Sequence, residues 1–145
     1  MLLETVFSLC TYLAMIGWLG LILAPRYKFI AQWVAPMVIP LLIAICYIWL
    51  MGTNFSQAPE GAGFDSLAAV TMAFSVPELL LAGWIHYLAF DLFVGAWELR
   101  DAQKQGIHHL LVVPCLLATF MAGPAGLLLY WILKLAHQRL RPQEA

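Results

Sequence analysis

The sequence predicts an all-α fold: a four-transmembrane-helix bundle with a short interfacial helix before the third span. Three observations predict it. The 145 residues are 63% hydrophobic and 10% charged, far from the roughly half apolar, quarter charged balance of a soluble domain. The apolar residues fall in runs about twenty long, the helix length that crosses a bilayer. Polar segments bearing Gly and Pro separate the runs. A single integral membrane domain over 1–145 accommodates them all.

The first span is expected over about 3–24, ended by Pro25, Arg26 and Lys28. The second covers about 33–52, with Pro36 and Pro40 in its first turns. Residues 53–63 (TNFSQAPEGAG) read as a loop, and 64–75 as a piece too short to span, lying at the interface. The third span is expected over about 75–100. Ser75 and Glu78 have the spacing of a capping box behind Pro77. After the short turn RDAQKQG, the fourth span covers about 108–137, interrupted by Gly123-Pro124. Four spans place both termini on one side. The first and third connections then hold Arg26, Lys28, Arg100 and Lys104, against Lys134, Arg139 and Arg141 on the other side. That is a slight lean toward termini outside.

The net charge of −1 offers no basic surface for nucleic acid. Cys10, Cys46 and Cys115 lie far apart in sequence, each within an apolar run and without a CxxC signature, and read as core residues. No basic residue precedes the first apolar run, so the first helix is expected to be retained, and no Arg- and Ser-rich transit segment precedes it. The expected location is a bacterial inner membrane, or a plastid membrane for a plant mature form.

The third span carries the chemistry. Glu78, His86, Asp91 and Glu98 interrupt its apolar sequence. An ionisable group at mid-helix costs about 2.5–3.5 kcal/mol on insertion scales, so such groups face a protein interior or a wet cavity. Two stripes run along this helix: Tyr87, Asp91, Val94 and Glu98, and His86, Phe90, Phe93 and Trp97. Asp91 and His86 stand about 140° apart on the helical wheel. The Asp91 stripe suits proton chemistry, and the aromatic His86 stripe suits a long conjugated or apolar ligand. With the helix ending near Asp101, Thr119 on the returning helix falls near the depth of Asp91, and Gly123-Pro124 near that of His86. Pro124 leaves the Phe120 carbonyl without its helical donor.

Structural readings compete with these. Glu78 could serve the helix start alone. Glu98 and Asp101 could be interfacial charges paired with Arg100 or Lys104. His108 and His109 could be a solvated pair, or, with Glu98 or Asp101, ligands of zinc or iron. Asp91 could hold the bundle in register through Tyr87 or Thr119, and His86 could be a satisfied core histidine.

The segments WIHYLAFDLFVGAWELRDA, from Trp84 to Ala102, and HHLLVVPCLLATFMAGPAGLLLY, from His108 to Tyr130, resemble the abscisic-acid-deficient-4-like family of small membrane proteins. The resemblance covers most of the chain. On this sequence the family's H-Y-x-x-F-D positions are His86, Tyr87, Phe90 and Asp91, and its G-P-x-G positions are Gly123, Pro124 and Gly126. Plant members are required to make neoxanthin from violaxanthin and are implicated in forming cis isomers. The resemblance implies a membrane-embedded carotenoid-modifying protein working by acid–base isomerisation, epoxide-to-allene or cis/trans.

Opening an epoxide to an allenic alcohol needs an acid at the oxirane oxygen and a base for a vinylic proton. No net electron change occurs, so no redox cofactor is obligatory. The expected catalytic groups are Asp91, His86, Tyr87 and Glu78, with Asp91 donating and His86 accepting. Phe90, Phe93, Trp97, Thr119, Gly123 and Pro124 are the expected substrate contacts. No metal is expected, and His108, His109 and Glu98 would be its ligands if one were bound. The alternatives are a non-catalytic carotenoid-binding or accessory subunit, and a metal-dependent polyene isomerase. The bilayer and a carotenoid or related polyene are the expected partners, with a homo-oligomer or pathway enzymes left open.

Overall fold

Leu2–Leu23 forms the first helix, α1, in a computed structural model that describes residues 2–23, 25 and 29–140. The second helix begins widely wound. Ile30–Val38 is a π-helix containing Pro36, continuing without a break into α2, Ile39–Asn54. Proline lacks the helical donor and crowds the preceding turn, and a wider winding relieves that crowding. Thr53, Asn54 and Gln57 then bond back to the carbonyls of Trp49, Leu50 and Thr53, closing the helix end. The expected short helix is α3, Leu67–Phe74, with the Ser66 hydroxyl accepting the Ala69 N–H as its cap.

The long central helix is α4, Pro77–Gln105. Val76 is its cap residue, and the Ser75 hydroxyl donates to the Met72 carbonyl of α3. The expected capping box therefore does not form, because Ser75 still belongs to the end of α3. Glu78 in the first turn suits the positive end of the helix dipole. At the other end Gly106 adopts a left-handed conformation, φ 69°, and stops the helix five residues beyond the expected boundary. Two further helices follow, α5, His109–Ala122, and α6, Pro124–Leu140.

Contacts fix the helix directions. Phe7 stacks on Trp84 near the start of α4, the Trp18 ring packs at Gly95, and Gln103 donates to the Pro25 carbonyl. The two sets of numbers rise together, so α1 and α4 are parallel. Tyr47 packs on His86, while Pro40 and Ala44 lie beside Ala89 to Phe93, so α2 is antiparallel to α4. The interior between them is apolar: Trp18, Leu21, Ile39, Ile43, Ile85, Leu88 and Leu92 are all buried. Cys10 and Cys46, distant in sequence, are neighbours across α1 and α2.

The last third of the chain departs from expectation. It does not cross as a fourth span but folds back on itself at Gly123. That glycine has φ 20° and ψ −84°, a conformation that does not continue a helix. A Cβ on Gly126 would collide with the Thr119 backbone. In a continuous helix those two residues would lie about 10 Å apart along the axis. α5 and α6 are thus the arms of a close antiparallel hairpin, and α6 returns parallel to α4. Trp97 meets Tyr130 and Trp131 at centroid distances of 5.6 and 6.0 Å, Asp101 meets Lys134, and Gln105 meets Gln138. The tip, Gly123, lies against Asp91, midway along α4. Read from sequence, Gly123-Pro124 signals a kink as readily as a reversal; the absent side chains at 123 and 126 allow the reversal.

Among the described residues three helices are long and apolar enough to cross a membrane, 2–23, 33–57 and 77–105. The hairpin enters and leaves at one end of this bundle. Leu2 therefore lies at one end and Leu140 at the other, rather than both on one side. The Leu140 end also carries Arg100, Lys104, Lys134 and Arg139. Arg26, Lys28 and Arg141 lie outside the described residues. The four described Lys and Arg thus lie at that end, where the expectation from four spans divided Arg100 and Lys104 from Lys134 and Arg139.

Candidate functional site

The two stripes of α4 meet different surroundings. The Tyr87 stripe turns inward to the hairpin. The Tyr87 hydroxyl donates to the Phe120 carbonyl at 2.7 Å, the carbonyl that the break at Pro124 leaves without a helical donor. One turn further on, Asp91 presses against Gly123, and its Oδ2 is buried with no hydrogen-bond partner among the described residues. Two turns beyond, Glu98 is fully buried, and the Thr119 hydroxyl donates to its two oxygens at 2.9 and 3.1 Å. Near the Leu140 end the Tyr130 hydroxyl donates to Asp101 Oδ2 at 2.6 Å, and Lys134 Nζ reaches the same oxygen at 2.7 Å. A polar column thus follows one face of α4 from mid-depth to the basic end.

Several expectations are corrected here. Glu98 is not an interfacial charge paired with Arg100 or Lys104; it lies inside the protein with a threonine. Thr119 stands level with Glu98 rather than Asp91, and Gly123 level with Asp91 rather than His86. Part of the reason is the length of α4, which continues a turn past Asp101 and so moves the facing helix by about that much; the displacements are five residues at Gly123 and seven at Thr119. The expected convergence of acid, imidazole, hydroxyl and carbonyl is therefore incomplete, and His86 is absent from it.

His86 belongs to the opposite side of α4. It stacks on Phe90 at 4.5 Å and packs on Tyr47 at 5.6 Å. Around it lies a cavity of 230 Å³ lined by Tyr47, Met51, Phe55, Phe64, Phe74 and Gly83, among others. Phe55 and Phe64 stack at 5.9 Å across the loop after α2, and Ser66 starts the helix that brings in Phe74. A second hollow, of 440 Å³, follows along α2 and α4, lined by Pro36, Met37, Pro40, Leu41, Ala44, Ala89, Phe90 and Phe93. Residues 47, 44, 40 and 36 on one wall descend as 86, 90 and 93 rise on the other. The two hollows succeed one another along the seam of α2 and α4, an apolar groove with its aromatic lining concentrated around His86.

Trp97 has left this stripe's groove and packs between α4 and α6. Thr119, Gly123 and Pro124 lie on the hairpin side. Of the expected substrate contacts, Phe90 and Phe93 line the groove. Of the expected catalytic groups, Tyr87 and Asp91 lie together, His86 lines the cavity, and Glu78 stands at the helix start, about 20 Å along the axis from Asp91. The conditional metal set is not assembled. His109 Nε2 lies 2.9 Å from the Ile22 carbonyl, Glu98 is held by Thr119, and His108 is exposed. Among the described residues no three of His, Cys, Asp and Glu are placed to hold a metal ion.

This arrangement sets one imidazole and one phenol in an apolar lining that contains no carboxyl group. The ABA DEFICIENT 4-like family matches residues 5–130, most of the chain, covering the groove, α5 and the first part of α6. The chain belongs to that family. No curated protein and no solved structure matches it. Within this family member, sequence reasoning missed Tyr47, Phe55, Phe64 and Phe74 as cavity residues and Tyr130 as the partner of Asp101. The aromatics sit on three separate segments that only the fold unites. The Tyr130–Lys134 spacing, one helical turn, was a legible signal, but its meaning depended on the hairpin bringing α6 beside Asp101.

Proposed function

We propose that this protein is a membrane-embedded carotenoid-modifying protein that isomerises its substrate by acid–base chemistry in the groove between α2 and α4. Family membership supports a role related to the neoxanthin pathway. The observation that carries the reading is His86, set in an aromatic cavity with an apolar trough next to it along α2 and α4. The trough suits a polyene, and the bilayer around it is where such a molecule dissolves.

In an epoxide-to-allene conversion, one proton is delivered to the oxirane oxygen as the carbon–oxygen bond breaks. Another is taken from the vinylic carbon, whose electrons form the new double bond of the allene. Atoms and electrons balance within the substrate. His86 and Tyr47 are the polar groups available to a ligand in the cavity, and we assign them the proton exchange: Tyr47 donating, His86 accepting. Asp91 and Tyr87 hold the hairpin tip rather than touching substrate, and Glu78 serves the start of α4.

The test is expression in a bacterium making an epoxidised carotenoid, followed by pigment extraction. Wild type should yield a new isomer of unchanged mass. His86→Phe should retain pigment in the protein and yield none of that isomer. Full conversion by His86→Phe would overturn the assignment. A second reading, carotenoid binding without chemistry, is favoured by the absence of a carboxyl group from the groove lining. Pigment retained by wild type with no change in its structure would select it.

A further inference from the structure

We infer that the His86 cavity receives one oxygen-bearing ring of a rod-shaped isoprenoid, entering from the leaflet at the Leu2 end, with the rest of the molecule lying in the trough and beyond it in lipid. The inference rests on the carotenoid reading above and adds which part of the molecule is held, from which leaflet, and by which groups.

Size sets the part. The cavity's 230 Å³ is below the roughly 300–1,000 Å³ of pockets that enclose a whole drug-sized ligand, so it admits a fragment. Its lining joins four aromatic rings, Tyr47, Phe55, Phe64 and Phe74, with Met51, which suits a ring better than a chain. His86 is the imidazole among them, and an imidazole there rewards an oxygen substituent by one hydrogen bond.

Length sets the rest. From Gly83 to Phe93 the groove follows ten residues of α4, about 15 Å. That is half of a hydrocarbon core of about 30 Å. The trough's lining ends at Pro36 and Phe93, just past the middle of α4. A molecule long enough to span the bilayer is thus gripped by one end, and a two-ended substrate is presented one ring at a time.

Charge sets the leaflet. The cavity lies toward the Leu2 end, whose loop, residues 53–66, holds no Lys or Arg, while the four described basic residues, Arg100, Lys104, Lys134 and Arg139, lie at the opposite end. The positive-inside rule places that opposite end on the side where the chain was made. The cavity then opens in the far leaflet.

The experiment uses the full chain in oriented vesicles, with zeaxanthin (two hydroxylated rings), β-carotene (two plain rings) and 3-hydroxy-β-ionone (one hydroxylated ring) as probes. Wild type should hold zeaxanthin about tenfold more tightly than β-carotene, the size of one hydrogen bond. 3-Hydroxy-β-ionone should displace it. His86→Leu, which keeps an apolar side chain, should erase the preference while still retaining β-carotene. Phe64→Cys, in a chain whose Cys10, Cys46 and Cys115 are replaced by Ala, should react with an impermeant thiol reagent from the non-basic side, and zeaxanthin should protect it.

If zeaxanthin and β-carotene bind alike, or the single ring does not compete, or zeaxanthin leaves the thiol of the Phe64→Cys variant unprotected, the end-group inference is overturned while the carotenoid reading stands. Reaction of that thiol from the basic side overturns the leaflet assignment. If folded wild type retains neither carotenoid, the carotenoid reading itself fails.

Discussion

Replacing Thr119 by Val should loosen the hairpin from α4. The substitution keeps the branched shape and removes the one hydroxyl that donates to Glu98, at 2.9 and 3.1 Å. Both residues are fully buried, so water cannot take the donor's place. Leaving a buried acceptor without its partner costs about 1–3 kcal/mol. Removing both polar groups, Thr119→Val with Glu98→Leu, should be close to neutral, since an apolar pair of similar shape leaves nothing unsatisfied. The double variant should therefore be less destabilised than the sum of the singles by about 1–2 kcal/mol, within the range seen for groups in direct contact. Reversible unfolding in mixed micelles measures all four stabilities. Additive effects, or a Thr119→Val stability equal to wild type, would refute the reasoning and mean that Glu98 is held by something other than this hydroxyl.

The helix directions make a second prediction: reporters fused ahead of Leu2 and after Leu140 should give opposite sides of the membrane, and agreement between them would exclude the hairpin. Gly126→Val should cost about 1–3 kcal/mol or more by forcing a side chain into the Thr119 backbone, whereas Gly52→Ala, with open space around it, should leave the unfolding midpoint unchanged. Lys134→Met should lower stability by about 1 kcal/mol, because its bond to Asp101 is partly screened at the bundle's end; thermal melting in detergent would show whether it does.

What the sequence disclosed follows from how local each signal was. α1 and α2 were legible within a few residues because a long apolar run bounded by prolines and polar groups needs no tertiary information. The inward and outward stripes of α4 were legible too, from the hundred-degree step between residues. The surroundings of each stripe were not. Lys104, Gln105 and Gly106 read as a turn, yet Gly106 can end a helix only after the residues before it have joined one. That extra turn accounts for part of the register shift of the helix facing α4. Glu98 read as a surface charge because it lies near Arg100 in sequence, but three positions along a helix decide whether a side chain points to water or to Thr119. The cavity around His86 was illegible, since Phe55, Phe64 and Phe74 carry no pattern that says they share a neighbour.

α4 has a consequence beyond its own stability. The polar column and the aromatic groove occupy opposite sides of one helix and have few side chains in common. Changes at Phe90, Phe93 or Gly83 should therefore add independently to changes at Asp91, Glu98 or Asp101, as expected for sites without shared partners. A chain built this way can exchange one ligand for another through variation on one face while the other face preserves the fold. Relatives that differ in the molecule they handle should then differ around His86 and agree around Gly123.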